Sequence, residues 1–289
     1  MPTAAIRGAN IYYETHGSGF PLVFVHGGFG GLGTGQGGGV PAWVDRFAHD
    51  FMVILYDRRS SGRSSFPSSP HSMTQFAGDI RGLLRHLGHD RAHVWGVSAG
   101  GQITVAFGLE FPAAAASLVV AESAPWLSRD PGLLARLRER IAILERDGAE
   151  AAYEARRTAG TVGLDLFAAT RPAQDAAESQ ARDERRAAIQ AQLSQVPREE
   201  RIAKYAGELR TYAAYIDFDA TSRFGELAMP VLIPYGTGDT VFPGAGWERL
   251  AEGRPNVVYR PYEGVEHGAV LAQPGALDEI LAFLQSHTP

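Results

Sequence analysis

The chain has 289 residues, of which 45% are apolar and 20% charged, and this is enough to bury a sizeable core in one large α/β domain. A formal net charge of −5 argues against a nucleic-acid-binding surface and against strong attraction to a membrane. The absence of cysteine excludes disulfide and thiolate chemistry and fits a reducing compartment.

Strands and helices alternate along most of the chain. Short apolar runs that stop at glycine or at a polar residue are typical of buried parallel strands, and a helix predicted over 72–88 begins at a capping serine and ends at Gly88. The alternation predicts an α/β fold with a mainly parallel sheet covered by helices on both faces. The predicted strands are residues 5–17, which form a hairpin, and 21–28, 51–57, 91–97, 116–123, 229–236 and 256–262.

One long segment interrupts this alternation. Residues 125–219 are rich in Ala, Arg and Glu, show no strand pattern, and predict several helices. We expect an inserted helical cap there, on a core made of residues 1–124 and 220–289. A second segment, residues 27–43, is dense in glycine and includes a G-x-G-x-x-G spacing, but no helix start or placed acid follows it, so we expect no dinucleotide and no other cofactor.

Ser98 lies in the stretch HVWGVSAGG, between a predicted strand and a predicted helix. Gly96 and Gly100 flank it at G-x-S-x-G spacing. A strand that turns into a helix within one residue strains that residue and requires small neighbours, and it exposes the hydroxyl beside free N–H groups of the helix. This context favours a nucleophile over a serine that merely caps a helix.

A serine nucleophile needs a base and an acid that orients the base. His267 lies between the last predicted strand and the last predicted helix, and Asp239 lies in a glycine-rich loop after an earlier strand. A turn-stabilising role for Asp239 is the alternative. The order Ser98, Asp239, His267 is the order expected for such an enzyme.

Five motifs together resemble the α/β-hydrolase superfamily over nearly the whole chain. They are HGG at 26–28, YDRRSSGRS at 56–64, GVSAGG at 96–101, GTGD at 236–239 and EH at 266–267. The resemblance implies an oxyanion hole formed by the backbone N–H groups of Gly28 and Ala99, with Phe29 as the alternative to Gly28.

The resemblance also implies structural roles for His26, Asp57 and Arg63, which shape these loops. In some relatives the triad acid is a glutamate after an earlier strand, and Glu122 occupies that place, so it is the alternative to Asp239.

A serine at this position, instead of the aspartate of related dehalogenases and epoxide hydrolases, points to acyl transfer to water. We expect hydrolysis of an ester or lactone bond in a medium-sized, largely uncharged small molecule, through an acyl-enzyme intermediate. The alternatives are a C–C bond or amide hydrolase, a cofactor-free perhydrolase, and a slow-hydrolysing ligand receptor.

Apolar and aromatic side chains near the predicted cap are the candidate substrate contacts. No cluster with metal-ligand spacing is present in the sequence, so we expect no metal. The first residues lack a basic start followed by an apolar run, so we expect no signal peptide and a cytoplasmic location. The candidate contacts are Phe29, Trp126, Tyr205, Tyr212 and Tyr215.

Overall fold

A computed structural model describes residues 2–28, 31–32, 40–156, 162, 180, 183–184, 187–188, 191 and 194–289. Eight strands form one sheet within this part of the chain. The strands are β1 Thr3–Ile6, β2 Ala9–His16, β3 Phe20–Val25, β4 Phe51–Tyr56, β5 Ala92–Val97, β6 Ala115–Ala121, β7 Val231–Gly236 and β8 Val257–Tyr262.

The sheet has the strand order β1-β2-β4-β3-β5-β6-β7-β8. Strand β2 runs antiparallel to β1 and to β4, and the other neighbouring pairs are parallel. β1 and β2 form the predicted hairpin, and its two turn residues, Arg7 and Gly8, both have positive φ, as a tight primed turn requires. The predicted α/β fold with a mainly parallel sheet is confirmed.

The second helix begins and ends where the local sequence predicts. The Ser72 hydroxyl accepts a hydrogen bond from the Gln75 N–H at 3.1 Å before the second helix, and Gly88 adopts φ +81° after it. The helices are α1 Val44–Phe47, α2 Met73–His86, α3 Ala99–Glu110, α4 Pro131–Glu154, α5 Arg198–Tyr215, α6 Trp247–Ala251 and α7 Ala276–Ser286. None of these described helices is long and apolar enough to cross a membrane.

The middle strands are buried on both faces, because helices cover the sheet. Every residue of β6 is buried, as is nearly all of β5, so these strands are continuous apolar runs without alternation. On one face Trp95 packs against Trp43, Phe47 and Phe24, with ring centroids 4.5–5.4 Å apart. The loops that follow the carboxyl ends of these strands carry the site.

The chain divides into two compact units. The first comprises residues 1–67, 71–127 and 217–289 and holds the sheet. The second comprises 68–70 and 128–216, where α4 and α5 pack together. Within the second unit α4 is interrupted at Gly148, whose φ of +89° is not helical, and Arg198 pairs with Glu150 and Glu154. The role of residues 125–219 as a cap over a site stays a prediction.

Candidate active site

Ser98 sits at the sharp turn between β5 and α3. Its φ of 55° and ψ of −124° are strained for a residue with a side chain. A Cβ at Gly96 would fall within 3.0 Å of the Gly100 carbonyl oxygen, and a Cβ at Gly100 would fall within 3.0 Å of the Val25 carbonyl oxygen. Both neighbours must therefore be glycine for the turn to close, as the spacing of the motif predicts.

His267 lies in the loop after β8 and faces Ser98. Its Nε2 atom is 3.1 Å from the Ser98 Oγ, and its Nδ1 atom is 2.8 Å from Oδ2 of Asp239. The ring of Phe242 packs edge-on against the imidazole at a centroid distance of 5.6 Å. Because a carboxylate only accepts, Nδ1 carries the proton and Nε2 is left to accept from the serine hydroxyl.

Asp239 is buried and held by its own loop. Its Oδ1 atom accepts from the N–H groups of Val241 and Phe242 at 2.8 and 2.9 Å, so Oδ2 is directed at His267. Burial raises the pKa of Asp239, but the hydrogen bonds from His267 and the backbone outweigh it and hold the pKa below its usual value. The carboxylate is therefore charged at neutral pH.

Backbone hydrogen bonds join the loop that holds Asp239 to the loop that holds His267. The Thr237 N–H donates to the Tyr262 carbonyl at 3.0 Å, and the Gly238 N–H donates to the Val265 carbonyl at 3.1 Å. The Gly264 N–H donates in turn to the Thr237 hydroxyl at 2.8 Å. These hydrogen bonds therefore hold the loop of Asp239 and the loop of His267 together.

Glu122, the alternative acid, has a different partner. It follows β6 with φ +49°, is buried, and accepts a hydrogen bond through Oε1 from the Val270 N–H at 2.8 Å. The structure thus places Asp239 against His267 and places Glu122 against the backbone just beyond it.

The HGG segment lies beside Ser98 on the other side of the site. A Cβ at Gly27 would lie 2.9 Å from the Ser98 Cβ, so only glycine fits there. The Gly27 carbonyl accepts from His26 Nδ1 at 2.8 Å, and a trans peptide points its N–H opposite to its carbonyl. The N–H of Gly28 therefore points away from His26, consistent with the predicted oxyanion donor. Ala99 is the first residue of α3, and Phe29 lies outside the described residues.

Sequence analysis did not predict the contact that Arg58 makes. Its side chain is buried, and its guanidinium donates to the Gly28 carbonyl. Burial, together with the charge of Arg58, lowers the pKa of His26 to about 3, so His26 is neutral. The carbonyls of Gly27 and Gly28 are thus both held by hydrogen bonds, from His26 and from Arg58. The only local signal is the pair of arginines directly after a buried strand.

Asp57 and Arg63 have the loop-shaping geometry that the resemblance implies. Asp57 is fully buried and accepts from the backbone N–H and Nε of Arg63 at 2.9 and 2.8 Å. Its other oxygen accepts from the Leu32 N–H at 2.7 Å, in the segment that follows HGG. The carboxylate therefore ties two loops together at the carboxyl edge of the sheet.

The family model for the alpha/beta hydrolase fold matches residues 21–274, which is most of the chain. The chain belongs to the α/β-hydrolase family.

Among curated proteins, this α/β hydrolase is similar to "Putative carbamate hydrolase RutD" of Azorhizobium caulinodans, with 29% identity over 97% of each chain. The protein of the same name in Caulobacter sp. is 30% identical over 95% of each chain. A non-heme chloroperoxidase of Streptomyces lividans is 25% identical over 96% of this chain and 97% of its own.

Solved structures agree with the fold. The enol-lactonase of Burkholderia xenovorans matches with a TM-score of 0.68 at 21% identity, over 98% of this chain and all of its own. A thermophilic esterase from Thermogutta terrifontis matches with a TM-score of 0.69 at 20% identity, over 99% of this chain and 97% of its own. At these identities the likeness concerns the fold alone.

The predicted substrate contacts of this α/β hydrolase are buried side chains. Trp126 is 6% exposed and packs against Phe242 at a centroid distance of 6.4 Å. The three tyrosines of α5 are at most 2% exposed, and Tyr205 meets Tyr153 edge-on at 5.9 Å. Their contact with substrate stays a prediction, and Phe29 lies outside the described residues. The three tyrosines are Tyr205, Tyr212 and Tyr215.

Within the described residues, no group of three or more His, Asp or Glu side chains is arranged to hold a metal ion. The arrangement at Ser98 has a hydroxyl, an imidazole nitrogen within hydrogen-bond reach of it, and a carboxylate on the far side of the ring. Nucleophilic acyl transfer uses these three groups together with an oxyanion hole.

Proposed function

We propose that this α/β hydrolase is a serine hydrolase that cleaves an ester or lactone bond of a medium-sized, largely uncharged molecule. Ser98 is the nucleophile, His267 the general base and Asp239 the orienting acid. The observation that carries the proposal is the continuous hydrogen-bond chain from the Ser98 Oγ through both ring nitrogens of His267 to Asp239.

The reaction follows from this chain. The Ser98 oxygen attacks the substrate carbonyl while its proton moves to Nε2 of His267. The imidazolium that forms is stabilised by Asp239 through Nδ1–H. The carbonyl oxygen gains negative charge and is stabilised by the N–H groups of Gly28 and Ala99. His267 then returns the proton to the leaving oxygen, and water repeats the sequence to free the acyl group.

The curated relatives suggest carbamates as a second class of substrate. The RutD proteins are named as carbamate hydrolases, and they match nearly the whole of this chain. A carbamate has the same electrophilic carbonyl as an ester, with a nitrogen on one side, so the same three residues can cleave it. We therefore hold carbamate hydrolysis as the second candidate.

Perhydrolysis is a further alternative, favoured by the similarity to the chloroperoxidase of S. lividans. In that case hydrogen peroxide replaces water in the second step, and the acyl-enzyme releases a peracid. The first step and its residues are unchanged, so the two activities differ only in the acceptor that reaches the acyl group.

A substrate panel tests the proposal. We expect multiple turnovers with p-nitrophenyl esters of graded chain length or with lactones of graded ring size, and no turnover with S98A. Aryl carbamates in the same panel measure the second candidate, and acetate with peroxide measures the third. One product molecule per protein molecule, followed by a halt, would contradict the proposal and favour a slow-hydrolysing receptor. Release of product from every substrate by S98A would contradict it as well.

A further inference from the structure

Glu122 is a buried acid whose side chain the proposed reaction does not use. It is 2% exposed, and its φ of +49° is uncommon for a residue with a side chain. Such backbone strain persists only where the surroundings fix the conformation, and it concentrates near functional sites. The Glu122 N–H donates to the Pro234 carbonyl at 3.0 Å, which holds the residue between the ends of β6 and β7.

The carboxylate of Glu122 reaches the loop that carries His267. Oε1 accepts from the N–H of Val270 at 2.8 Å, three residues after the histidine. Val270 is fully buried and begins a short 3-10 turn, Val270–Ala272. The bond therefore fixes the point at which the histidine loop re-enters the core.

The histidine loop is fixed at its other end by the loop of Asp239. The Gly238 N–H donates to the Val265 carbonyl, and the Ala269 N–H closes a turn onto the Glu266 carbonyl at 3.2 Å. His267 thus lies between two anchors, and Glu122 supplies the second of them. Loss of either anchor frees a short stretch of backbone that carries the base.

We propose that Glu122 is a positioning residue, which holds the imidazole of His267 in reach of Ser98 by fixing the Val270 N–H. The inference rests on the proposed function and adds a residue to it. A positioning bond needs an acceptor oxygen at this place, whereas a triad acid needs a negative charge. The side-chain amide of glutamine has the oxygen and lacks the charge, so the two roles predict opposite results.

The test compares E122Q with E122M. Both replacements keep an unbranched side chain of similar length, but only glutamine can accept from the Val270 N–H. We expect E122Q to keep kcat within about threefold of the wild type. We expect E122M to lose about 10- to 100-fold in kcat with KM unchanged, because a shift of about 1 Å in a catalytic group has an effect of this size.

Two further readouts make the result specific. Labelling of Ser98 by a fluorophosphonate needs the base, so its rate should fall in E122M by a factor similar to that of kcat. Hydrogen exchange at the Val270 amide should accelerate in E122M and not in E122Q. A wild-type protein that the fluorophosphonate does not label would refute the proposed function itself, independently of Glu122.

The outcomes that overturn the inference are distinct. A collapse of kcat in E122Q as deep as in D239N would make the charge of Glu122 essential and assign it a triad role. Wild-type kcat in E122M would show that the bond to Val270 positions nothing. If E122M does not fold, E122D replaces it, since aspartate keeps the charge but is one methylene too short. A fall of about tenfold in kcat for E122D beside an active E122Q supports the inference, and any other order of the two contradicts it.

Discussion

The Nε2 atom of His267 lies 3.1 Å from the hydroxyl oxygen of Ser98, and its Nδ1 atom lies 2.8 Å from Asp239. These two hydrogen bonds determine the tautomer of the ring before any substrate binds. The nitrogen that faces Ser98 is free of a proton and can take one from the hydroxyl without rearrangement. The site therefore has the geometry that the first step of the proposed acyl transfer requires.

Replacing Ser98 with alanine should abolish hydrolysis and leave the fold intact. Loss of a triad nucleophile lowers the rate on the order of 10⁴-fold or more. The measurement is kcat on the best ester of the panel, together with fluorophosphonate labelling followed by mass spectrometry. Ser286→Ala, at an exposed serine on α7, is the matched control and should behave as the wild type. Retention of more than a few per cent of activity in S98A would exclude Ser98 as the nucleophile.

Asp239→Asn should lower kcat by about 10³- to 10⁴-fold with little change in KM. An asparagine oxygen can still accept from Val241 and Phe242, so the loop keeps its shape, but the amide group then faces Nδ1 and favours the wrong tautomer of His267. The control is Asp278→Asn, at an exposed aspartate that pairs with Arg46. A kcat within threefold of the wild type for D239N would refute the role of Asp239.

The acid limb of the pH profile should report one group. Hydrogen bonds hold the pKa of Asp239 below its usual value, so this carboxylate keeps its charge over the acid limb and adds no second proton to it. We therefore expect kcat/KM to fall tenfold per pH unit on the acid side, as for a single proton. A slope of two protons over the same range would show that the acid and the base titrate together.

Protein stability should also fall as the pH is lowered, because of a buried histidine on β5, His93. Burial, with the nearby charges of His287 and Arg91, lowers the pKa of His93 to about 4. Below about pH 6.5 the unfolded chain binds a proton at this ring that the folded chain does not, so stability declines until about pH 4. The full effect of this group is about 3 kcal/mol.

The measurement is the free energy of unfolding by urea between pH 7 and 4. His93→Gln should be less stable at neutral pH, because the ring bonds to Ser117 and Thr288 at 2.8 and 3.1 Å, but its stability should depend less on pH. His49→Gln, at an exposed histidine, should keep the dependence of the wild type. An unchanged pH dependence in H93Q would contradict the assignment.

Arg58→Met should weaken the oxyanion hole without disturbing the nucleophile. The guanidinium holds the Gly28 carbonyl, so its loss frees the peptide beside the predicted N–H donor. We expect kcat to fall about 10- to 100-fold, and the affinity of an aryl boronic acid to fall in parallel, because its tetrahedral adduct occupies the same hole. Arg46→Met, at an exposed arginine, is the control. Unchanged boronate affinity in R58M would contradict this role.

Local sterics made part of the site predictable from the sequence. The glycines around Ser98 are required by contacts within the turn itself and with the adjacent strand, so their spacing predicts the turn and the exposed hydroxyl. The alternation of apolar runs predicted the parallel sheet for a similar reason, since a strand buried on both faces must be apolar throughout.

The partners of Glu122 and Arg58 could not be predicted in this way. Asp239 and Glu122 both follow strands of the same sheet, and the sequence offers each as an acid for His267. The choice depends on the final position of the loop that follows β8. In that loop His267 is 28 residues from Asp239, and Val270 is 148 residues from Glu122. Arg58 reaches a carbonyl 30 residues away, across the sheet edge, and no local pattern encodes such a contact.

The two residues of the proposed nucleophile–base pair are 169 positions apart. A ribosome adds about 5 to 20 residues per second, so on the order of 10 to 30 s separate the synthesis of Ser98 from that of His267. During that time the nascent chain can form the turn at Ser98, but nothing is yet in place to withdraw the proton from its hydroxyl. Reactivity therefore begins only when β8 has joined the sheet and the loop behind it has folded.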